Sequence, residues 1–229
     1  MDEIECTVRW AVPADEPEMR DLLDGPERER YARFRRPEDK ARFVTGRFLA
    51  RTALAEATGL APEAIRFITG CPHCGGPHGK PRLHGHGVDF SLSHSGDRVV
   101  VALAEGVEVG VDVERESDRD VRRLAEMVLT EPERETLAAL PPDGLRRGFV
   151  TYWSRKEALL KATGHGLAAP MTGIRVSGPD EPAEVLAWEG EAAVAPVRLA
   201  DLRPGPGYAA ALAVLTGRPL AVSEGPAPA

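Results

Sequence analysis

Two stretches of this chain are near-copies of each other. Phe43 to Leu60 reads FVTGRFLARTALAEATGL, and Phe149 to Leu167 reads FVTYWSRKEALLKATGHGL. Both open on Phe-Val-Thr, carry Ala-Leu midway and close on Ala-Thr-Gly. Each has helical periodicity and stops at a glycine, Gly59 or Gly164, the residue that ends helices because it accepts positive φ without a Cβ clash. A short strand-like piece follows each, Ile65 to Phe67 and Ile174 to Val176, and each half later supplies an apolar strand, VVVALAE from Val99 and YAAALAVLTG from Tyr208. Chance likeness between two alanine-rich helices is the competing reading. The ordered match of helix, glycine and strand favours a duplicated α+β unit. The junction falls near Glu105 to Glu108, and a site is expected in the cleft between the halves.

At 229 residues, 42% hydrophobic and 28% charged, the chain has enough core for one large domain or two small ones. No apolar run approaches the roughly 20 residues that span a bilayer. The opening MDEIEC is acidic where a signal peptide is basic. Three cysteines argue against a disulfide framework and fit a reducing cytosol, so a cytoplasmic location is expected.

Net charge is −7, yet Arg28 to Arg51 holds nine basic residues against three acids. A cationic zone in an anionic protein points to a local anionic ligand. A nucleotide- or nucleic-acid-binding regulator using this segment is the alternative reading. Only four of the 29 basic residues are lysines: Lys40, Lys80, Lys156 and Lys161. Where arginine is the default cation, a lysine is either a chance survivor or wanted for its compact ammonium.

In VGVDVERE, from Val109, strand alternation sends Val109, Val111 and Val113 to one face and Gly110, Asp112 and Glu114 to the other. Two carboxylates about 7 Å apart repel unless hydrated at a strand end or bridged by a cation. In WSRKEALLK, Trp153, Glu157 and Lys161 share one helix face. They form either an ordinary surface pair or, given the tryptophan, a protein-facing set that needs partners. Asp112, Glu114 and Glu157 together make an all-oxygen site suited to Mg²⁺ or Mn²⁺ rather than zinc. FSLSHSGD, from Phe90, reads as a strand with Phe90 and Leu92 inward and Ser91 and Ser93 outward. His94 at its end either donates to a phosphate or bonds the backbone. Cys71 and Cys74 form a lone CxxC with His73, His78, His84 and His86 nearby, which reads as a Gly/Pro turn or a loop-stiffening metal knuckle. Ser117 to Leu140 reads as helical, broken at Thr130-Glu131-Pro132.

The order G-K-P (Gly79 to Pro81), F-S-L-S-H-S-G, G-V-D-V-E and W-S-x-K-E-A-x-x-K resembles the Sfp-type 4′-phosphopantetheinyl transferases, over roughly Pro26 to Val176. The resemblance implies an α+β pseudo-dimer of two similar halves, each a small antiparallel sheet packed with a long helix, with the active site in the cleft between them. The halves would be 1–106, with the basic helix and SHSG motif, and 107–218, with the metal strand and WSRKEALLK helix. Residues 219–229 have the composition of a disordered tail. The implied activity is Mg²⁺-dependent transfer of the 4′-phosphopantetheine arm of coenzyme A to a serine of an acyl or peptidyl carrier protein, releasing adenosine 3′,5′-bisphosphate. Such carriers serve fatty-acid, polyketide or nonribosomal-peptide synthesis. Nucleic acid and membrane partners are not implied, and the enzyme is expected to be a monomer.

Carried over by position, the resemblance implies that Asp112, Glu114 and Glu157 hold Mg²⁺ (Mn²⁺ in its place) on the coenzyme A pyrophosphate. Lys161 would contact that pyrophosphate, Ser93 and His94 would meet the phosphates, and Lys80 and Pro81 would lie along the adenine nucleotide. Arg47 and Arg51 would grip coenzyme A phosphates, with Arg28 and Arg30 where relatives often carry lysines. Glu157 is the candidate base, directly or through a magnesium-bound water, with Lys161 stabilising charge in the transition state. Whether Glu157 is base or ligand stays open.

Overall fold

The structure is a computed structural model that describes residues 2–70, 76, 79–118, 120–166, 169–190 and 196–226. One series of elements occurs twice. The first run is β1 (Ile4–Ala11), α1 (Pro17–Asp21), α2 (Gly25–Arg33), α3 (Pro37–Thr58), a 3₁₀ turn, β2 (Phe67–Ile68), β3 (Arg82–Leu83), β4 (Val88–Ser95) and β5 (Arg98–Glu105). The second is β6 (Val109–Arg115), α4 (Val121–Val128), α5 (Glu131–Ala139), α6 (Leu145–Thr163), a 3₁₀ turn, β7 (Ile174–Val176), β8 (Val185–Trp188), β9 (Arg198–Asp201) and β10 (Tyr208–Val214). Each run builds a sheet with its first strand beside its last and its penultimate strand outside: β1-β5-β4 and β6-β10-β9, all antiparallel. The expected α+β duplication is thus present in topology as well as in the two long helices. Those helices end at Gly59 (φ 73°) and Gly164 (φ 76°), both left-handed.

The layers follow from strand alternation. In β5, Val99, Val101 and Leu103 pack on α3, while Val100, Ala102 and Ala104 meet the second sheet. In β6, Val109, Val111 and Val113 face that same inter-sheet core, as their spacing predicts. The opposite face of β6 and β10 carries α6. The order is therefore helix, sheet, sheet, helix, with each helix outside its own sheet. The break between α4 and α5 falls at Leu129–Thr130; Glu133 Oε2 accepts from Thr130 N at 2.7 Å at the start of α5, and Pro132 sits in its first turn.

Two expectations need correction. The segment after Arg218 is ordered through Pro226: β11 (Leu220–Pro226) lies parallel to β1, from Ile4 opposite Leu220 to Trp10 opposite Pro226. Its Leu220 and Val222 pack on the inter-sheet core, and Trp10 donates to Glu224. Composition suggested disorder, but the unpaired edge of β1 outweighs it. The other correction is to Ser91 and Ser93, expected to point outward. Ser91, Ser93 and Ser95 all reach toward β6: Ser91 Oγ accepts from Val111 N at 3.0 Å, Ser93 Oγ donates to Asp112 Oδ1 at 2.8 Å, and Ser95 Oγ donates to Glu114 Oε2 at 3.1 Å. This ladder of hydroxyls with period two takes the place of a backbone ladder between β4 and β6.

Candidate active site

A cleft of about 1130 Å³ opens where the two runs meet. Its walls come from the start of α3 (Arg36, Arg42), the β4–β5 turn (His94 to Asp97), the end of β6 (Glu114, Arg115) and the faces of α4 and α6 (Leu124, Phe149, Trp153). Arg36, Arg42, Arg115 and Arg146 line it together with the carboxylates of Asp15, Glu38, Asp39, Asp97 and Glu114, so its wall carries charge of both signs.

The carboxylates are placed by α6 lying on β6, and Gly110 makes that approach possible. A Cβ there would stand 2.0 Å from Ala158 O and 2.4 Å from Ala162 N. The helix therefore rests on bare backbone, one strand pleat from Asp112. Asp112 is 3% exposed; its Oδ1 accepts from Lys161 Nζ at 2.6 Å and from Ser93 Oγ. Its Oδ2 is buried without a hydrogen-bond partner. Burial pushes the Asp112 carboxyl above the usual range, against the opposing pull of Lys161. Glu157, also buried, is raised first by burial and then by the neighbouring Asp112 charge. His94 is held below its ordinary value by desolvation, then by the nearby Lys161 and Arg42 cations, so it is neutral at neutral pH.

Of the predicted site residues, the structure brings Asp112, Glu157, Lys161 and Ser93 together, with Glu114 and His94 at the cleft wall. Among the described residues no three carboxylates, imidazoles or thiols converge closely enough to hold a metal ion as they stand. The donor set nevertheless fits one. It is all oxygen, it includes the unpartnered Asp112 Oδ2, and the Lys161 ammonium offsets part of its negative charge.

Arg47 and Arg51 do not face the cleft. Arg51 is fully buried and forks onto Glu27 of α2, with Nη2 to Oε2 at 2.7 Å. Arg47 Nε lies 3.2 Å from Glu27 Oε1, and its guanidinium stacks on Phe43 and Phe67. The two arginines pin α2 to α3. The sequence held the signal for Arg47 and Arg51: positions 43, 47, 50, 51 and 54 share one helical face with core residues. Arg42 is the cleft residue, donating to Gly96 O at 3.1 Å. Arg28 donates to Leu23 and Asp21 carbonyls, and Arg30 lies over the Phe43 ring.

Lys80 is similarly committed, to Asp89 and to Val109 O at 2.7 Å, with Pro81 half-buried beside it. Burial lowers its pKa. Lys156 is fully buried against Glu133 Oε2 at 2.6 Å. Cys71, Cys74, His73 and His78 lie outside the described residues; His84 and His86 are exposed on the β3–β4 loop. The cleft arginines Arg36, Arg115 and Arg146 had no sequence signal beyond charge, because elements far apart in the chain bring them together.

Known proteins match this chain in sequence. Residues 108–213 match the 4′-phosphopantetheinyl transferase superfamily, and residues 10–106 match the 4′-phosphopantetheinyl transferase N-terminal family. The chain is 34% identical to the 4′-phosphopantetheinyl transferase HetI of Nostoc sp., over 77% of this chain and 76% of that protein. It is 32% identical to a 4′-phosphopantetheinyl transferase of Bacillus subtilis, over 73% of this chain and 71% of that one. A holo-[acyl-carrier-protein] synthase structure from Thermotoga maritima is similar at 24% identity and a TM-score of 0.41, over 49% of this chain and 64% of that one. With both family models side by side along its two runs and relatives matched over most of their length, the chain belongs to the 4′-phosphopantetheinyl transferases and is an enzyme of that class.

Proposed function

We propose that this enzyme moves the phosphopantetheine arm of coenzyme A onto the serine hydroxyl of an acyl or peptidyl carrier protein, as a monomer of two halves, 1–106 and 107–218, with Mg²⁺ held by Asp112, Glu114 and Glu157. The observation that carries the reading is the buried, half-satisfied Asp112, paired with Lys161 beside a large cleft whose wall includes four arginines. An unpartnered buried carboxylate oxygen is costly and is retained where a ligand completes it. When bound, the cation neutralises pyrophosphate oxygens and the leaving phosphate.

The chain's own groups divide the remaining work. Arg36, Arg42 and His94 face the cleft and receive the anionic nucleotide phosphates. Lys161, 26% exposed at its side chain, swings from Asp112 to the pyrophosphate as the substrate arrives. The carrier serine oxygen attacks the phosphorus that bears the pantetheine arm, forming one O–P bond. The bond to the bridging oxygen breaks, and adenosine 3′,5′-bisphosphate leaves. Glu157 accepts the serine proton, an uptake favoured by the burial and the neighbouring Asp112 charge that raise its pKa. The family matches are all to transferases and give the nucleic-acid alternative no support.

Incubating the enzyme with an apo carrier protein, coenzyme A and Mg²⁺ tests the reading. The carrier mass should rise by one phosphopantetheine, and should not when a chelator is present. An unchanged mass across fatty-acid, polyketide and peptide carriers overturns it.

A further inference from the structure

Tyr208 opens β10, opposite Arg115 on β6, yet its hydroxyl works on the other half of the molecule. It donates to the Asp97 carboxylate and accepts from Asp97 N at 3.1 Å. The guanidinium of Arg98 lies over its ring at 5.0 Å, and Arg98 Nε donates to Pro204 O on the same side. The phenol thus clasps the β4–β5 turn from both ends of one residue. Gly96 sits beneath it with φ 55°, and a Cβ there would stand 2.2 Å from the phenol oxygen. The turn is shaped to admit this hydroxyl. Its hydrogen bond also holds the Asp97 carboxyl below the usual range.

That turn carries two contacts to the site and contributes to neither through Tyr208 directly. Ser95 Oγ donates to Glu114 Oε2 and accepts from Arg115 N at 3.1 Å. Gly96 O accepts from Arg42 at 3.1 Å. One turn therefore aims an acidic side chain and a basic side chain at the same cleft, and from the second sheet Tyr208 holds its Asp97 end while Glu114 meets its Ser95 end.

Resting on the proposed transferase reading, we infer that Tyr208 is a positioning residue: its hydroxyl fixes the Ser95–Asp97 turn, which orients Glu114 toward the divalent cation and Arg42 toward the nucleotide phosphates. The phenol touches no substrate. Partners one step removed from a metal ligand govern its orientation, and losing one weakens metal affinity by roughly 10- to 100-fold; Ser95 is that partner of Glu114, and Tyr208 acts through it, so the lower end of that range is expected.

The test is Tyr208→Phe, which keeps the ring and the Arg98 stack and removes both hydrogen bonds. Mn²⁺ affinity is measured by titration calorimetry with and without coenzyme A, alongside the KM for coenzyme A and thermal unfolding. Mn²⁺ binding about 10-fold weaker, with a raised KM and an unfolding midpoint close to wild type, supports the inference. Asp97→Ala, at an exposed turn position, should reproduce the defect, and the double variant should be no worse than either single one. It also serves if Tyr208→Phe folds poorly. Wild-type Mn²⁺ affinity in both variants, or losses that add, overturns the positioning role. Wild-type enzyme in the same series keeps the two ideas apart: if it loads the carrier while the variants bind normally, only the inference fails.

Discussion

Lys161 Nζ stands 2.6 Å from Asp112 Oδ1 and 2.9 Å from Ser93 Oγ, so the ammonium satisfies the carboxylate that the cation is proposed to claim. Lysine and metal then compete for Asp112 until the pyrophosphate draws the lysine away, which makes substrate and cation binding mutually favourable. In mildly alkaline buffer, Lys161→Met should bind Mn²⁺ more tightly than wild type without coenzyme A, and should lose the further tightening that coenzyme A brings. Turnover should fall by about 100-fold or more, the scale of losing one transition-state charge stabiliser. Equal Mn²⁺ affinity in both proteins would refute the competition.

The buried Asp112 predicts a trade between function and stability. Its folded pKa, like that of Glu157, is raised. The folded state therefore holds protons that the unfolded state has released, and both groups lose stability for the fold as pH climbs from about 4 toward their raised values. Asp112→Asn should abolish transfer yet melt higher than the metal-free wild type at neutral pH, with a flatter rise of stability on acidification. Mg²⁺ should raise the wild-type melting temperature and leave the variant's unchanged. A variant that melts lower at neutral pH would show that the Lys161 pair outweighs desolvation.

Gly110→Ala should act on both layers at once. The added methyl meets backbone atoms of Ala158 and Ala162, which cannot rotate away, so α6 must lift from β6. Overpacking of this kind costs about 3 kcal/mol, or roughly 10 °C in a domain of this size. At temperatures where the variant remains folded, activity should still be low, because Glu157 and Lys161 ride on the displaced helix.

A carrier that presents an acidic helix is expected to dock on α4, the next element after β6. Arg122 and Arg123 are exposed there, as is Met127 at 68%, while Val121 and Leu124 lie half-buried against the α6 core. Arg122→Glu with Arg123→Glu should raise the KM for the carrier about 10-fold or more and leave the KM for coenzyme A nearly unchanged. Salt should weaken wild-type carrier binding. Matching losses for both substrates would place the carrier elsewhere.

The sequence exposed the parts of the site that lie within one element. Period two placed Gly110, Asp112 and Glu114 on one face of β6, and period four placed Glu157 with Lys161 on α6; both hold. The scarcity of lysine was informative too, since Lys80, Lys156 and Lys161 each close a tight carboxylate pair. What failed was any reading that needed to know which element lies opposite. Arg47 and Arg51 look like a phosphate grip until Glu27 of α2 is seen against them. Ser91 and Ser93 look solvated until β6 arrives beside β4. The C-terminal segment looks disordered until β1 offers it an edge. Hydrophobic period reports what a residue turns away from, and partner identity comes only with tertiary structure.

The return of β11 to β1 has a temporal consequence. On a ribosome, β1 emerges well before β11, with Ile4 waiting for Leu220. Until then, β1 presents one bare edge of N–H and C=O groups to the surroundings, the kind of edge that recruits foreign strands. Contacts of such long sequence separation form slowly because their loop must close first. The nascent first half is therefore the stage at which this enzyme is most exposed to aggregation, and slow translation of the second half lengthens it.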